Sequence, residues 1–134
     1  MWNGDCNGED LTLSVRFYPA AGRIDQAAGI AWAIAPDGSY LGARANALED
    51  NLLFFQVVRG KRTIIDSVRG ISTATRTWHT LKVKLRSRSL VVEIDGETRL
   101  ERETDPRPAG RCGLWSKADS QVLFDDFSVI PSSP

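Results

Sequence analysis

The run Trp78-His79-Thr80-Leu81-Lys82-Val83-Lys84-Leu85, followed by Leu90-Val91-Val92-Glu93-Ile94-Asp95-Gly96-Glu97-Thr98-Arg99-Leu100, decides the class of fold. His79, Leu81, Val83 and Leu85 alternate with Thr80, Lys82 and Lys84. Leu90, Val92 and Ile94 alternate with Val91, Glu93 and Asp95. A period of two puts one set on one face of an extended strand and the other set on the opposite face. Asp95-Gly96 then reads as a tight hairpin joining Leu90–Ile94 to Thr98–Leu100, because both central residues of such a turn need positive φ.

The same pattern extends outward. Leu11, Leu13, Val15 and Phe17 alternate with Thr12, Ser14 and Arg16, and Pro19 is expected to end that strand. Residues 30–34, 40–46, 63–67, 112–115 and 122–129 read as further strands, the second of them after a Pro36-Asp37-Gly38-Ser39 turn. Residues 52–58 are apolar on both parities, which predicts a central position in a sheet. Val122 and Phe124 share one parity and Phe127 and Val129 the other; a β-bulge at Asp125-Asp126 would turn both pairs inward. About ten short strands with no convincing helix predict a sandwich or barrel. The sequence reads as one domain over 1–134, irregular over 1–10 and with a loose tail over 131–134.

Composition narrows the function. The 134 residues are 42% hydrophobic and 25% charged, ordinary globular usage that allows a real core. Lys and Arg number 17, as do Asp and Glu. The basic excess of a nucleic-acid binder is therefore absent, and Arg59-Gly60-Lys61-Arg62 reads as a turn with solvated charges. No apolar run approaches the ~18 residues that span a membrane. The first residues lack the basic and apolar regions of a signal peptide. Cys6 and Cys112 read as two independent thiols, with one bridge open to them in an oxidising compartment.

Several stretches carry a family likeness: residues 25–32 (DQAAGIAW), 44–51 (RANALEDN), 78–81 (WHTL), 113–120 (GLWSKADS) and 124–127 (FDDF). In that order they resemble the bacterial 3-keto-disaccharide hydrolase-like domain, across about residues 11–129. The resemblance implies a concanavalin A-like jelly-roll sandwich of two antiparallel sheets, an exported protein and a loose link to polysaccharide metabolism. The chain departs from that family's pattern at Ala33, where Arg is common, and at Gly42 and Ala43, where bulkier residues are common. The N-terminal strands of longer members are also missing.

Parity nominates a site. Tyr40, Gly42, Arg44 and Asn46 face one way and Leu41, Ala43 and Ala45 the other; Gly29, Ala31 and Ala33 oppose Ile30, Trp32 and Ile34. If the two strands are neighbours, the outer face has a smooth floor beside Tyr40, Arg44 and Asn46. Sugars need an aromatic surface for their C–H faces and fixed donors and acceptors for their hydroxyls. The expected ligand-binding residues are Tyr40, Arg44, Asn46 and Glu49, with Lys117 and Asp119 from a later loop, on a concave sheet face. The expected partner is carbohydrate, bound by a module rather than turned over by an enzyme.

Glycoside hydrolysis needs two carboxylates at defined separation. The chain has no Glu-x-Asp-x-x-Glu stretch, and Asp95 is accounted for by its turn, which leaves Glu49 with Asp119 as the one cross-loop pair. No catalytic residue is assigned, and hydrolysis or lysis of a (3-keto-)disaccharide stands as the alternative function. A protein-interaction domain is the third reading, with a homodimer as one outcome. His79, the one histidine, has the parity of a core residue. Trp32 is expected in the core, Trp115 in the core or on a platform, and Trp78 against Lys82 or on the groove rim. No cofactor is expected beyond a structural calcium held by Asp125 and Asp126 with Glu9 or Asp10.

Overall fold

A computed structural model describes residues 3–5, 10–21, 27–71, 75–105, 110–116 and 121–131. Alternating apolar side chains can bury one face only by meeting a second layer. The strands are β1 (Asn3–Asp5), β2 (Leu11–Ala21), β3 (Ala27–Ile34), β4 (Tyr40–Asn46), β5 (Asn51–Val58), β6 (Lys61–Arg69), β7 (His79–Leu85), β8 (Ser89–Ile94), β9 (Glu97–Glu103), β10 (Arg111–Ser116) and β11 (Gln121–Pro131). They form a six-stranded sheet in the order β1-β10-β3-β4-β5-β6 and a five-stranded sheet in the order β11-β2-β7-β8-β9, with every pairing antiparallel. The protein is thus an all-β sandwich. No helix among the described residues is long and apolar enough to cross a membrane.

The residues predicted to face inward do so. Leu11, Leu13, Val15 and Phe17 of β2, Leu81, Val83 and Leu85 of β7, and Leu90, Val92 and Ile94 of β8 are buried against Ile30, Trp32, Ala43, Ala45, Leu52 and Phe54 of the facing sheet. Each large apolar side chain so buried contributes roughly 1.5–3 kcal/mol before the cost of ordering the chain. Trp32 lies in this core and stacks on Phe54, ring centroids 5.9 Å apart.

Two hairpins have the turn chemistry their sequences predict. Asp95 and Gly96 have φ of 52° and 83°, and Arg59 and Gly60 have φ of 50° and 84°. Asp95 also ties down the strand it precedes in space. Its carboxylate accepts the Thr80 backbone N–H at 2.8 Å and meets His79 Nδ1 at 2.7 Å. His79 is buried, as its parity predicts, and packs on Phe17.

The expected bulge at Asp125-Asp126 is present. Asp125 pairs with Arg16 and Ser128 with Ser14, so β11 carries one extra residue, and Asp126 takes φ of 53°. Val122, Phe124, Phe127 and Val129 consequently all pack on the core. The Asp126 carboxylate meets Arg16 at 3.5 Å, and Asp125 accepts the Asp126 N–H. Among the described residues no three His, Cys, Asp or Glu side chains cluster as a metal site, and Glu9 lies outside them.

Other expectations need correction. Pro19 does not end its strand: β2 continues to Ala21, with Pro19 opposite Val122. A residue's N–H and C=O point to the same side of a strand. The Pro19 carbonyl accepts from Arg76 on the side where pairing to β7 stops at Phe17, so the missing N–H faces no ladder. Residues 3–5 form a strand on β10, and Pro131 is still paired, with Leu11. Ala33 does not share the outward face of Gly29 and Ala31. Its φ of 52° and the register shift between Arg111 and Gly113 mark a bulge in β3 that turns it into the core. Cys112 is buried and disulfide-bonded rather than a free thiol; Cys6 lies outside the described residues. Trp78 is not on the groove rim: it stands on the outer side of the five-stranded sheet, 5.4 Å from the Tyr18 ring, with the Arg16 guanidinium 4.8 Å above it.

Replacing Asp95 by Ala removes the turn preference, the Thr80 bond and the His79 partner together. Unfolding in urea should show a loss of about 2–4 kcal/mol, and a loss below about 0.5 kcal/mol would contradict the role assigned to this carboxylate.

Candidate functional site

The six-stranded sheet is apolar on its outer face as well. Cross-strand partners share a face, so Trp115, Gly29, Arg44, Leu53 and Ser67 form one row across β10, β3, β4, β5 and β6. Gly113, Ala31, Gly42, Phe55 and Ile64 form the next. Leu53, Phe55 and Val57 make a second buried cluster with Tyr40 and Trp115 packed against it. This explains why residues 52–58 are apolar on both parities. It is not centrality, because β5 is next to last in its sheet. The strand lies between the sandwich core and an aromatic layer.

The small residues of the floor seat these rings. A Cβ on Gly42 would sit 2.7 Å from Phe55 Cζ, so the Phe55 ring occupies the space that a side chain at position 42 would need. Gly29 is required by close backbone approach, its Cβ falling 2.4 Å from the Ala43 carbonyl oxygen. The Phe55 ring meets Trp115 at 5.3 Å between centroids and Tyr40 edge-on at 6.1 Å. The Trp115 indole N–H donates to the Tyr40 hydroxyl at 3.1 Å. Phe55 is fully covered, whereas Tyr40 and Trp115 are half-buried and form the accessible shelf.

At the other end of β4 lies a polar network. Arg44 donates through Nη1 to Asn51 Oδ1 at 2.9 Å and through Nη2 to Glu49 Oε2 at 3.4 Å, and Asn51 Nδ2 donates to the same Glu49 oxygen at 3.1 Å. The Arg44 side chain is 3% exposed and that of Glu49 45% exposed, so Glu49 is the member that meets solvent. Asn46 is fully buried, and its side-chain oxygen accepts the Leu48 and Glu49 backbone N–H groups, shaping the turn between β4 and β5.

Parity therefore places Tyr40, Arg44 and Asn46 on one face, yet they do not open together onto solvent. Arg44 and Asn46 are covered, and Tyr40 is the member that remains accessible. Lys117 and Asp119 lie outside the described residues. Sequence reasoning did not single out Asn51 or Phe55 for this face, and of the two places it offered Trp115, core or platform, the structure gives the platform. The signal was the double-sided apolar run of β5 opposite Gly42.

Groups elsewhere are engaged. Glu93 meets Lys84 at 2.6 Å, and Asp95 holds His79. The Asp37 carboxyl, in the turn before β4, is held below the ordinary aspartate value, chiefly by the Ser39 backbone N–H and then its hydroxyl, with Arg59 adding a smaller pull. Its contribution to stability is present above the ordinary aspartate range and lost as the pH falls through that lowered value. A small crevice at Trp32, Leu41, Phe54, Leu85 and Leu90 lies in the seam between the sheets, apart from the outer face.

With this geometry in hand, the chain can be set beside known proteins. Its fold is similar to that of the carbohydrate binding module CBM66 from Bacillus subtilis, with a TM-score of 0.79 at 17% identity over 92% of this chain and 76% of that one. Sheep galectin-11, solved with glycerol, gives 0.73 at 4% identity over 96% of each chain. A Bacillus subtilis protein of unknown function with a galectin-like fold gives 0.73 at 13% identity over 97% and 74%. The fold is thus galectin-like. No family model matches the chain, and neither does any curated protein sequence, so the narrower resemblance to the 3-keto-disaccharide hydrolase-like domain is not carried further.

Gly42→Ala tests the seating of the aromatic layer. The added methyl should displace the Phe55 ring, cost about 1–3 kcal/mol on denaturant unfolding, and change the Trp115 environment in the tryptophan fluorescence. An unchanged spectrum and stability would contradict the packing described.

Proposed function

We propose that the protein binds carbohydrate on the outer face of its six-stranded sheet, without turning it over. Trp115 and Tyr40 supply a shelf for the C–H face of a sugar ring. Glu49, held by Arg44 and Asn51, accepts from sugar hydroxyls, and Asn46 sets the turn that presents it.

The observation that carries this reading is that one sheet face holds a half-buried aromatic pair and, in the β4–β5 turn at its other end, a braced carboxylate. A lectin-like site requires that combination: apolar surface with a few fixed polar groups. The likeness in fold to a carbohydrate binding module and to a galectin supports it, although fold does not dictate function. Binding is favoured over hydrolysis because Glu93 and Asp95, a carboxylate pair on one face of the β8 hairpin, are tied to Lys84 and His79.

A glycan array followed by calorimetry on the best ligand provides the test. Wild type should bind at least one saccharide. Trp115→Ala should weaken it tenfold or more, a loss of about 1.4 kcal/mol, and Glu49→Ala should also weaken it while circular dichroism stays unchanged. Binding equal to wild type in both variants, or no saccharide bound by wild type, would reject the proposal.

A further inference from the structure

The outer face does not end at the aromatic shelf. Tyr40 pairs with Val57, and Val57 pairs with Arg62 on the edge strand β6. Because Val57 belongs to the outer apolar cluster, Arg62 projects from that same face. Two strand spacings separate the Tyr40 and Arg62 backbones, about 10 Å. Arg111 stands on the opposite flank. It alternates with the core residue Cys112 on β10, whose own backbone is regular at the shift because the extra residue lies in β3. Both arginines are exposed. Among the described residues neither has a hydrogen-bond or ion-pair partner, in contrast to Arg16, Arg44, Arg99 and Arg102, which pair with carboxylates.

The adjoining turn adds Arg59, which meets the Asp37 carboxylate at 3.9 Å. Arg62 and Arg111 thus flank the row of Tyr40, with Arg59 and Asp37 in the adjoining turns and Asp5 paired in register with Arg111. At the other end Arg44 is bound by Glu49 and Asn51, and Arg69, the register partner of Asn51, is exposed on β6.

From this arrangement we infer that the glycan bound at the outer face is an anionic one, whose carboxylate or sulfate groups are taken by Arg62 and Arg111 while its ring lies on Tyr40 and Trp115. The inference rests on the carbohydrate-binding reading above and adds the chemical class of ligand. A guanidinium fork matches both anions in two-point geometry, which an ammonium does not. The two arginines are four strand spacings apart, about 19 Å. A saccharide lying across the strands would thus run from one to the other over the shelf.

The probes are a galacturonate tetrasaccharide, a sulfated heparin-derived tetrasaccharide, neutral cellotetraose, and poly-glutamate as an anion without sugar. At least one acidic saccharide should bind tenfold or more tighter than cellotetraose and than poly-glutamate, with affinity that falls as sodium chloride rises. The preference for acid over neutral sugar should shrink at least tenfold in Arg62→Ala/Arg111→Ala. It should persist in Arg99→Ala, which removes a cation from the other sheet. The uronate and sulfate arms tell which anion is preferred. Equal affinity for acidic and neutral sugars, or a preference that survives the double variant, would overturn this inference and leave carbohydrate binding standing. Poly-glutamate bound as tightly as the acidic sugars would also overturn it, by reducing the site to general polyanion attraction. No binding of any saccharide would overturn both readings.

Discussion

Strand β5 has to bury two apolar faces, and the protein is arranged around that requirement. Leu52 and Phe54 enter the sandwich, while Leu53, Phe55 and Val57 face away from it. Left open, the second set would be an exposed apolar patch of the kind that draws proteins together. Trp115 and Tyr40 cover it, and they fit because Gly42 leaves room for the Phe55 ring. The covering residues are themselves only half-buried, so the device that protects β5 also presents an aromatic surface to solvent.

The polar half of the face follows from the same strand pairing. Arg44 lies beside Leu53, in a row where an unpartnered buried guanidinium would be costly. Asn51 and Glu49 bind it, and Asn46 folds the connecting turn so that Glu49 arrives in reach. Burial of Arg44 fixes the orientation of the one carboxylate in this network that solvent can reach. Polar groups held in this way lose little freedom on meeting a ligand, which is how preorganised sites gain affinity. Arg62 and Arg111 at the Tyr40 end are the opposite case: exposed, and without a side-chain partner among the described residues.

Much of this was readable from residues alone. Alternation in residues 11–17 and 79–94 located the core, Asp95-Gly96 located a hairpin, and the parity break after Phe124 located a bulge. These are local signals, each carried by a few neighbouring residues. Alternation also placed Tyr40, Arg44 and Asn46 on one face. It could not say how deeply they lie, because depth depends on what crosses over them from β10 and from the β4–β5 turn. The same limit left Trp115 open between core and platform, because it is far from Tyr40 in sequence and joins it only through the β10-β3-β4 order. It also hid Arg62 and Arg111, which look like ordinary surface charges until the strand order brings them to either side of Tyr40. Pro19 and Ala33 were misread for a related reason. Whether a proline can sit in a strand, or an alanine take a left-handed φ, depends on which neighbour is present at that point in the sheet.

The most direct test is a heteronuclear NMR titration of the whole protein with a soluble oligosaccharide that it binds. The account predicts shift changes at the Trp115 indole N–H and at the backbone amides of Tyr40, Gly42 and Glu49, with the five-stranded sheet undisturbed. Changes centred instead on Tyr18, Trp78 and Lys82, with the Trp115 indole silent, would contradict it.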